Sequence, residues 1–281
     1  MKPDVSIIMG VYNLSPRYKK AIDSIMNQTY QNFEFIICDD KSTDNTLHIL
    51  KKLEKSDSRI KVISNEKNSG LAFSLNHCLE YAKGKYIARM DDDDVSIPDR
   101  LEKERNFLIN NPQYAFVASS YFIDDGENKD YTVKKLEKEP TKHSFLWNSP
   151  FCHPSTMFRR SALNKVGGYR VCKETRRAED YDLYMRLYAA NCVGYNIPEP
   201  LYVYYIGKKE NKKKDKFVYS WENAKIRVYG YKKMKLPLLK SLPYIIKPLI
   251  IGVLPSTIVY KLRTQGLQNK LRNEKANERN S

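Results

Sequence analysis

The chain has 281 residues, enough for one large domain or two modest ones with a buried core. Its hydrophobic fraction of 41% is typical of a globular protein and excludes a disordered chain. The five cysteines are widely spaced and form no Cys-x-x-Cys pair, which argues against a disulfide framework or a zinc site and favours a reducing cytoplasm. The N-terminus lacks a signal-peptide pattern, so we expect no export.

The net charge of +16 is concentrated near the C-terminus. Residues 208–281 hold 19 of the 49 Lys and Arg but 5 of the 33 Asp and Glu, leaving 30 basic against 28 acidic residues in 1–207. A near-neutral body with a basic tail argues against a nucleic-acid-binding protein.

Apolar, β-rich runs recur in the first ninety residues at 5–11, 33–38, 60–63 and 86–90. The gaps between them leave room for crossover helices, which predicts βαβ units and a mostly parallel sheet flanked by helices.

Capping residues predict where the helices begin and end. Ser42 or Thr43 is a candidate N-cap of the second helix, Gly70 forms a turn before the third, and Gly84 is placed to end it. Ser96 is a candidate cap for a further helix that ends near Asn110. A strand is then expected at 115–119, followed by a loop or an edge hairpin over 124–144.

Polar residues follow each of the four strands. They are Tyr12-Asn13, Asp39-Asp40, Asn65 and the run Asp91 to Asp94. Sheets of this kind bind ligands beyond the carboxyl ends of their strands, so we expect these groups to converge on one edge.

Four consecutive carboxylates, Asp91 to Asp94, repel one another and predict a bound cation. An EF-hand is excluded because Val95 and Ser96 stand where that loop needs an oxygen ligand and a glycine. Mg²⁺ and Mn²⁺ instead use one or two carboxylates together with substrate phosphates. The run therefore predicts a site for a metal ion and a nucleotide.

Other polar residues allow two interpretations each. Asp39-Asp40 either opens a turn or accepts hydrogen bonds from a pyrimidine and a ribose. Asp180 is either a favourable acid in the first turn of a helix or a general base, with Glu179 as its rival, whereas Asp182 is expected at the surface. His153 is either packed or a ligand. The same choice, between solvated surface charge and a diphosphate-binding role, applies to Arg159, Arg160, Arg176 and Arg177.

The ordered set of motifs resembles the family-2 inverting glycosyltransferases with the GT-A fold. The matching segments span residues 5 to about 187 and are 5–13, 24–30, 35–46, 68–71, 91–101 and 178–183. Two positions depart from the usual pattern: Gly10 replaces a proline, and Lys41 replaces a glycine.

The resemblance implies a Rossmann-like, mixed and mostly parallel sheet and a site with defined roles. Asp39 and Asp40 would contact the uracil and ribose of a UDP-sugar. Asp91 and Asp93 would form the Asp-x-Asp element, with Asp93 binding Mn²⁺ or Mg²⁺ directly, and Asp180 would be the general base. Further residues expected at the donor site are Val11, Tyr12, Asn13, Asn68, Gly70, Arg89, Asp92, His153 and Glu179.

The implied reaction is a single displacement that moves a sugar from UDP to a hydroxyl of a glycan acceptor. The acceptor is expected to be lipid-linked, as in bacterial capsule, exopolysaccharide or O-antigen synthesis. A sugar-nucleotide nucleotidyltransferase is the rival enzyme, but no glycine-rich loop follows Gly10. A non-catalytic nucleic-acid-binding protein is the other alternative, with the basic tail and its aromatic residues as the binding surface.

Residues 1–207 are predicted to be the catalytic domain and 208–281 a basic, apolar, helical extension. Within 236–260 the longest uncharged stretch is the 13 residues 248–260, whereas a membrane-spanning helix needs about 20. This favours peripheral attachment to an anionic membrane surface on the cytoplasmic side. Packing of the tail on the catalytic domain, or insertion into the membrane, are the alternatives.

Overall fold

The computed structural model describes residues 2–127, 131–206 and 216–254. Within them, a nine-stranded mixed sheet carries helices on both faces. The strands are β1 (Val5–Val11), β2 (Phe33–Asp39), β3 (Ile60–Ser64), β4 (Tyr86–Arg89), β5 (Val95–Ser96), β6 (Phe116–Asp124), β7 (Thr132–Lys134), β8 (Met157–Arg159) and β9 (Gly194–Tyr205). The α-helices are α1 (Tyr18–Met26), α2 (Thr46–Ser56), α3 (Leu71–Tyr81), α4 (Arg100–Asn110), α5 (Arg160–Val166), α6 (Glu179–Ala189), α7 (Lys216–Lys233) and α8 (Leu238–Val253).

The strand order is β3-β2-β1-β4-β8-β6-β9-β5, with β7 paired to β6. β1 is parallel to both β2 and β4, and β2 is parallel to β3, which confirms the predicted βαβ units. β8 is antiparallel to β4, so the residues that precede β8 reach the edge where β1 to β4 end. That edge carries the predicted polar residues.

The sheet separates two hydrophobic cores. Alternation along β1 sends Ile8 to one core and Ile7 to the other. The Ile8 core includes residues of α3, α5, α6 and α7, whereas the Ile7 core includes residues of α1, α2 and α4. Helices therefore cover both faces, as predicted.

Two of the predicted helix N-caps are wrong. α2 begins at Thr46, and Ser42 and Thr43 instead bind Asn13 across the edge of the sheet. Ser96 belongs to β5, because it pairs in extended form with β9, and α4 begins four residues later.

Gly84 does not end α3, which stops at Tyr81. A Cβ atom at Gly84 would lie 2.6 Å from the backbone nitrogen of Ser6. The glycine is needed because two backbone segments approach closely there.

The strand expected at 115–119 is the longer β6, and β7 pairs with it antiparallel, so an edge hairpin forms within 124–144. Residues 128–130 of that hairpin lie outside the described residues.

The C-terminal extension is helical where it is described, as predicted. Ile226 and Tyr231 of α7 are buried in the same core as α6. No helix in 2–127, 131–206 or 216–254 is both long and apolar enough to cross a membrane. Residues 255–281, which include part of the apolar stretch considered above, lie outside the described residues.

Candidate active site

The turn after β1 joins the turn after β2. Asn13 has a left-handed backbone (φ 56°), and its N–H donates to the Ser42 hydroxyl at 2.9 Å. The Asn13 side-chain oxygen accepts from the Thr43 N–H at 2.9 Å. The carbonyl of Val11 accepts from the Asp40 N–H at 2.8 Å, and Tyr12 is 47% exposed. The predicted segment Val11-Tyr12-Asn13 thus lies beside Asp40, and the Tyr12 ring is exposed.

Asp40 is buried, and its carboxylate organises the turn after β3. It accepts hydrogen bonds from the Asn65 side chain (2.7 Å) and from the backbone N–H groups of Ser69 (2.8 Å) and Gly70 (2.7 Å). Gly70 has a φ of 86°, which permits this turn. Asp40 therefore holds the predicted Asn68–Gly70 segment in place.

Asp39 is also buried, but its contacts are longer. One oxygen accepts from the Ser42 N–H at 3.2 Å and the other from the Ser64 hydroxyl at 3.3 Å. Of the two carboxylates, Asp39 has the larger unused capacity to accept hydrogen bonds.

The four aspartates after β4 occupy four different environments. Asp91 forms an ion pair with the guanidinium of Arg89. Asp92 accepts from a backbone N–H, that of Ser15, at 2.7 Å, and the buried Asp94 accepts from the Tyr205 N–H at 2.7 Å. The Asp93 side chain makes no hydrogen bond to another residue of the described chain. The run is therefore not a uniform acidic loop.

Burial and mutual repulsion disfavour the charged forms of these aspartates. Burial, followed by repulsion from Asp91 and Asp92, raises the pKa of Asp93 to about 6. The pKa of Asp94 rises to about 8, first through burial and then through the charge of Asp91. A bound cation would relieve this repulsion.

The described residues contain no preformed group of three or more His, Cys, Asp or Glu side chains around a cation position. Mg²⁺ and Mn²⁺ do not need one, because substrate phosphates and water supply the remaining ligands. Asp93, with its open carboxylate, fits this requirement, and Asp91 lies two residues before it, although its carboxylate is already paired with Arg89.

Arg89 connects the acidic run to the start of α6. Its side chain is 1% exposed. Burial raises the pKa of Glu179 to about 8, with further repulsion from Asp180, while the Arg89 charge acts to lower it. Burial also raises the pKa of Asp180, and Arg89 again opposes the rise. The Arg89 charge likewise opposes the rise in the pKa of Asp93. One buried cation is thus shared by two acidic motifs that are far apart in sequence.

His153 lies just before β8 and is buried. Its Nε2 is 2.8 Å from the hydroxyl of Tyr169. Burial and then the charge of Arg89 lower the His153 pKa well below its usual value, so the ring is neutral. Tyr169 is close enough to Arg89 and Glu179 for their charges to affect its own pKa, which burial raises. His153 is therefore a hydrogen-bonded neighbour of the site.

Two residues near the site were not identified from the sequence as site residues. One is Tyr169, which follows α5. Arg17 donates to the backbone carbonyl of Asp93 at 3.1 Å and pairs with Asp124 at 2.5 Å. No local pattern marks either residue, because their partners are distant in the chain.

The surface position expected for Asp182 is wrong. Asp182 is buried, and its two oxygens lie 2.7 Å from Arg170 and 2.7 Å from Arg186. Two arginines compensate the cost of burying the carboxylate. The pair with Arg170 fixes α6 to the segment that precedes it, whereas the pair with Arg186 lies within α6.

The four candidate arginines fall into two groups. Arg159 and Arg160 lie at the opposite edge of the sheet, where Arg159 pairs in register with Tyr86 at the start of β4. That position separates them from the acidic run. Arg176 and Arg177 instead line a groove of about 400 Å³ together with residues 68–72.

Comparison with known proteins agrees with this arrangement. Residues 6–167 match the model of Glycosyl transferase family 2. The putative glycosyltransferase EpsE of Bacillus subtilis (strain 168) is 40% identical over 269 residues, covering 95% of this chain and 96% of EpsE. The Escherichia coli UDP-Glc:alpha-D-GlcNAc-diphosphoundecaprenol beta-1,3-glucosyltransferase WfgD is 43% identical over 189 residues, covering 66% of this chain and 70% of WfgD.

Solved structures show the same fold. TarS 1-349 of S. aureus in complex with UDP-GlcNAc gives a TM-score of 0.67 at 20% identity, covering 89% of this chain and 72% of that one. The mannosyltransferase PcManGT of Pyrobaculum calidifontis, in complex with GDP-Man and Mn²⁺, gives 0.63 at 18% identity, covering 95% and 81%. The chain has the predicted GT-A fold. It is a glycosyltransferase and belongs to glycosyl transferase family 2.

Proposed function

We propose that this enzyme moves a sugar from a UDP-sugar to a hydroxyl of a lipid-linked glycan acceptor and inverts the configuration at the anomeric carbon. One observation carries the proposal: the strand end that bears Arg89 and the acidic run is tied to α6, because the Arg89 N–H donates to the Thr156 carbonyl at 2.9 Å and the Thr156 hydroxyl lies 2.6 Å from the Tyr184 hydroxyl. This link supports a single site that holds a candidate metal ligand and a candidate base, as a single displacement requires.

Asp180 is proposed as the general base. It takes the proton of the acceptor hydroxyl as that oxygen bonds to the anomeric carbon and the bond to UDP breaks. Burial raises the pKa of Asp180, which makes its carboxylate a stronger base than an exposed aspartate. Glu179 has a pKa of about 8 and therefore holds its proton near neutral pH.

Asp93, with Asp91, would hold Mn²⁺ or Mg²⁺. When bound, such an ion neutralises negative charge on the departing UDP. The open carboxylate of Asp93 and its raised pKa of about 6 support this assignment.

The donor is proposed to lie along the carboxyl edge of β1 to β4. Tyr12 is exposed there, and Asp39 retains capacity to accept hydrogen bonds from a uracil or ribose. The complex of TarS with UDP-GlcNAc supports a UDP-sugar, whereas PcManGT was solved with GDP-Man.

The acceptor and the membrane are proposed from the relatives and from the tail. WfgD is named for a diphosphoundecaprenol-linked acceptor. The outward face of α8 is an apolar stripe at helical spacing, formed by Leu239, Leu242, Ile246, Ile250 and Val253, with exposures from 39% to 88%. With lysines along the same helix, this stripe supports peripheral attachment to an anionic, cytoplasmic membrane surface. We accordingly propose residues 1–207 as the catalytic domain and 208–281 as its membrane-associating extension.

Flotation with phosphatidylglycerol vesicles tests the attachment. The double variant L239D/I250D should remain with the soluble fraction, because two charges would enter the apolar stripe. Ile109→Asp is the control, since Ile109 is 45% exposed on the distant helix α4. Unchanged flotation of the double variant would refute the proposal.

The alternatives to a glycosyltransferase do not fit the family. Family membership decides against a sugar-nucleotide nucleotidyltransferase. The basic tail also contributes buried core residues of this enzyme, including Tyr231, so its aromatic residues are not simply a nucleic-acid surface.

The experiment is a UDP-release assay over a panel of UDP-sugars with Mn²⁺ or Mg²⁺. Asp180→Asn should reduce turnover by about 10² to 10⁴ while UDP still binds, because a general base contributes about that much. Glu179→Gln tests the rival base. Unchanged turnover of Asp180→Asn would overturn the assignment.

A further inference from the structure

The groove of about 400 Å³ that contains Arg176 and Arg177 lies between the turn at residues 68–72 and Tyr219 of α7. Arg177 stands three residues before Asp180 in the chain. Its guanidinium stacks on the Tyr219 ring at 4.0 Å and has no carboxylate partner among the described residues. Arg176 is held by the buried Glu222 at 2.7 Å. The groove therefore has a cationic wall next to the proposed base.

A second groove, of about 420 Å³, runs between α7 and α8. Its lining is mainly apolar and includes Trp221, Val228, Ile245 and Leu249. It also includes Lys225. A groove of this composition suits a hydrocarbon chain whose polar end leaves the groove near a cation.

The segment 170–177 lines the cationic groove and contacts two residues that line the apolar groove. Lys225, which lines the apolar groove, is 3.7 Å from the carboxylate of Glu174. Tyr229, which also lines it, lies under the guanidinium of Arg170 at 4.2 Å. The apolar groove, the cationic groove and the start of α6 are thus consecutive along one surface.

We propose that the two grooves together bind a lipid diphosphate, with the diphosphate at Arg176 and Arg177 and the hydrocarbon chain between α7 and α8. The proposal rests on the proposed function for the identity of this ligand as the carrier of the acceptor sugar. Guanidinium groups bind phosphate oxygens in a bidentate manner, and an acceptor must lie on the side of the base that takes its proton. A ligand that spans the two grooves meets both requirements.

Tryptophan fluorescence of the full chain tests the proposal. The sequence has 2 tryptophans, so Trp147→Phe leaves Trp221, in the apolar groove, as the reporter. Farnesyl diphosphate should change the Trp221 emission saturably. Farnesol, which lacks the diphosphate, should bind more weakly by on the order of tenfold.

Arg177→Gln separates this site from the donor site. The variant should raise the ratio of the farnesyl diphosphate Kd to the UDP Kd by on the order of tenfold. Arg177 is exposed, so the fold is expected to be retained, which circular dichroism checks. Arg160→Gln, at the opposite edge of the sheet, is the control and should leave the ratio unchanged.

Three results would overturn the proposal. The first is that farnesyl diphosphate leaves the Trp221 emission unchanged. The second is that farnesol binds as tightly as farnesyl diphosphate. The third is that Arg177→Gln weakens UDP binding as much as it weakens lipid binding. The last result would assign the arginines to the donor. Failure of the proposed function is distinguishable, because it would appear as absent UDP-sugar turnover while Arg177-dependent lipid diphosphate binding persists.

Discussion

Arg89→Met is expected to destabilise the protein to a degree that depends on pH. Methionine fills most of the arginine volume but removes the charge that Asp91, Asp93, Glu179 and Asp180 share. Removing one partner of a buried ion pair costs about 3–5 kcal/mol. The Asp91 side chain is 30% exposed and keeps part of its hydration, so we expect a loss near the lower figure, about 3 kcal/mol at neutral pH.

The pH dependence follows from the directions of the pKa shifts. Burial raises the folded-state pKa of Asp93 to about 6 and of Glu179 to about 8, and Arg89 opposes both rises. Without Arg89, the folded-state pKa values of Asp93 and Glu179 increase further, whereas their pKa values in the unfolded chain stay at about 4. The folded protein then binds more protons than the unfolded chain, so its stability falls as pH rises through this interval. At pH values above this interval, each added pKa unit in the folded state lowers the free energy of unfolding by about 1.4 kcal/mol.

Urea unfolding followed by circular dichroism at about pH 5 and about pH 8 measures this effect. The control is Arg227→Met: Arg227 is also buried, but it donates to the carbonyls of Leu146 (2.8 Å) and Trp147 (3.1 Å) rather than to carboxylates. The loss of stability caused by Arg227→Met should be the same at both pH values. An equally pH-independent loss in Arg89→Met would refute the reasoning.

Three further changes test other parts of the structure. Asp93→Asn should abolish the rise in Tm that Mn²⁺ gives in the presence of UDP, because the open carboxylate is lost; a retained rise would exclude Asp93 as the ligand. Asp40→Ala should cost about 3 kcal/mol or more in urea unfolding, since three buried or part-buried donors lose a charged acceptor. Gly84→Ala should cost about 1–3 kcal/mol because its Cβ would lie 2.6 Å from the backbone of Ser6. A cost near zero for Gly84→Ala would contradict the close approach.

The parallel half of the sheet was predictable because each strand is a buried apolar run. β1 matches its predicted range, and β2 to β4 differ from theirs by one residue at the carboxyl end. β8 and β9 were not predicted. β8 has three residues, and β9 contains Pro198 and Pro200, which weaken a strand pattern. Their pairing depends on the rest of the sheet.

The acidic motifs were recognisable from their order in the chain, but their individual environments were not. The ion pair of Arg89 with Asp91 follows from local geometry at the end of β4. The contacts of Asp40 with Asn65 and of Asp182 with Arg170 depend on segments brought together only by folding. A repeating apolar pattern predicts which residues are buried and whether they form a strand or a helix. A single polar residue does not predict which residue it will contact.

The division of the interior into two cores gives the two halves of the site separate supports. Asp91 to Asp94 follow Met90, which packs in the core of α1 and α4. Asp180 stands on α6, whose core also contains Ile226 and Tyr231 of α7. Loosening α7 therefore removes apolar contacts from the helix that carries the proposed base, while the contacts of Met90 below the acidic run remain. If Asp180 is the base as proposed, substitutions that loosen α7 should reduce turnover before they reduce donor binding.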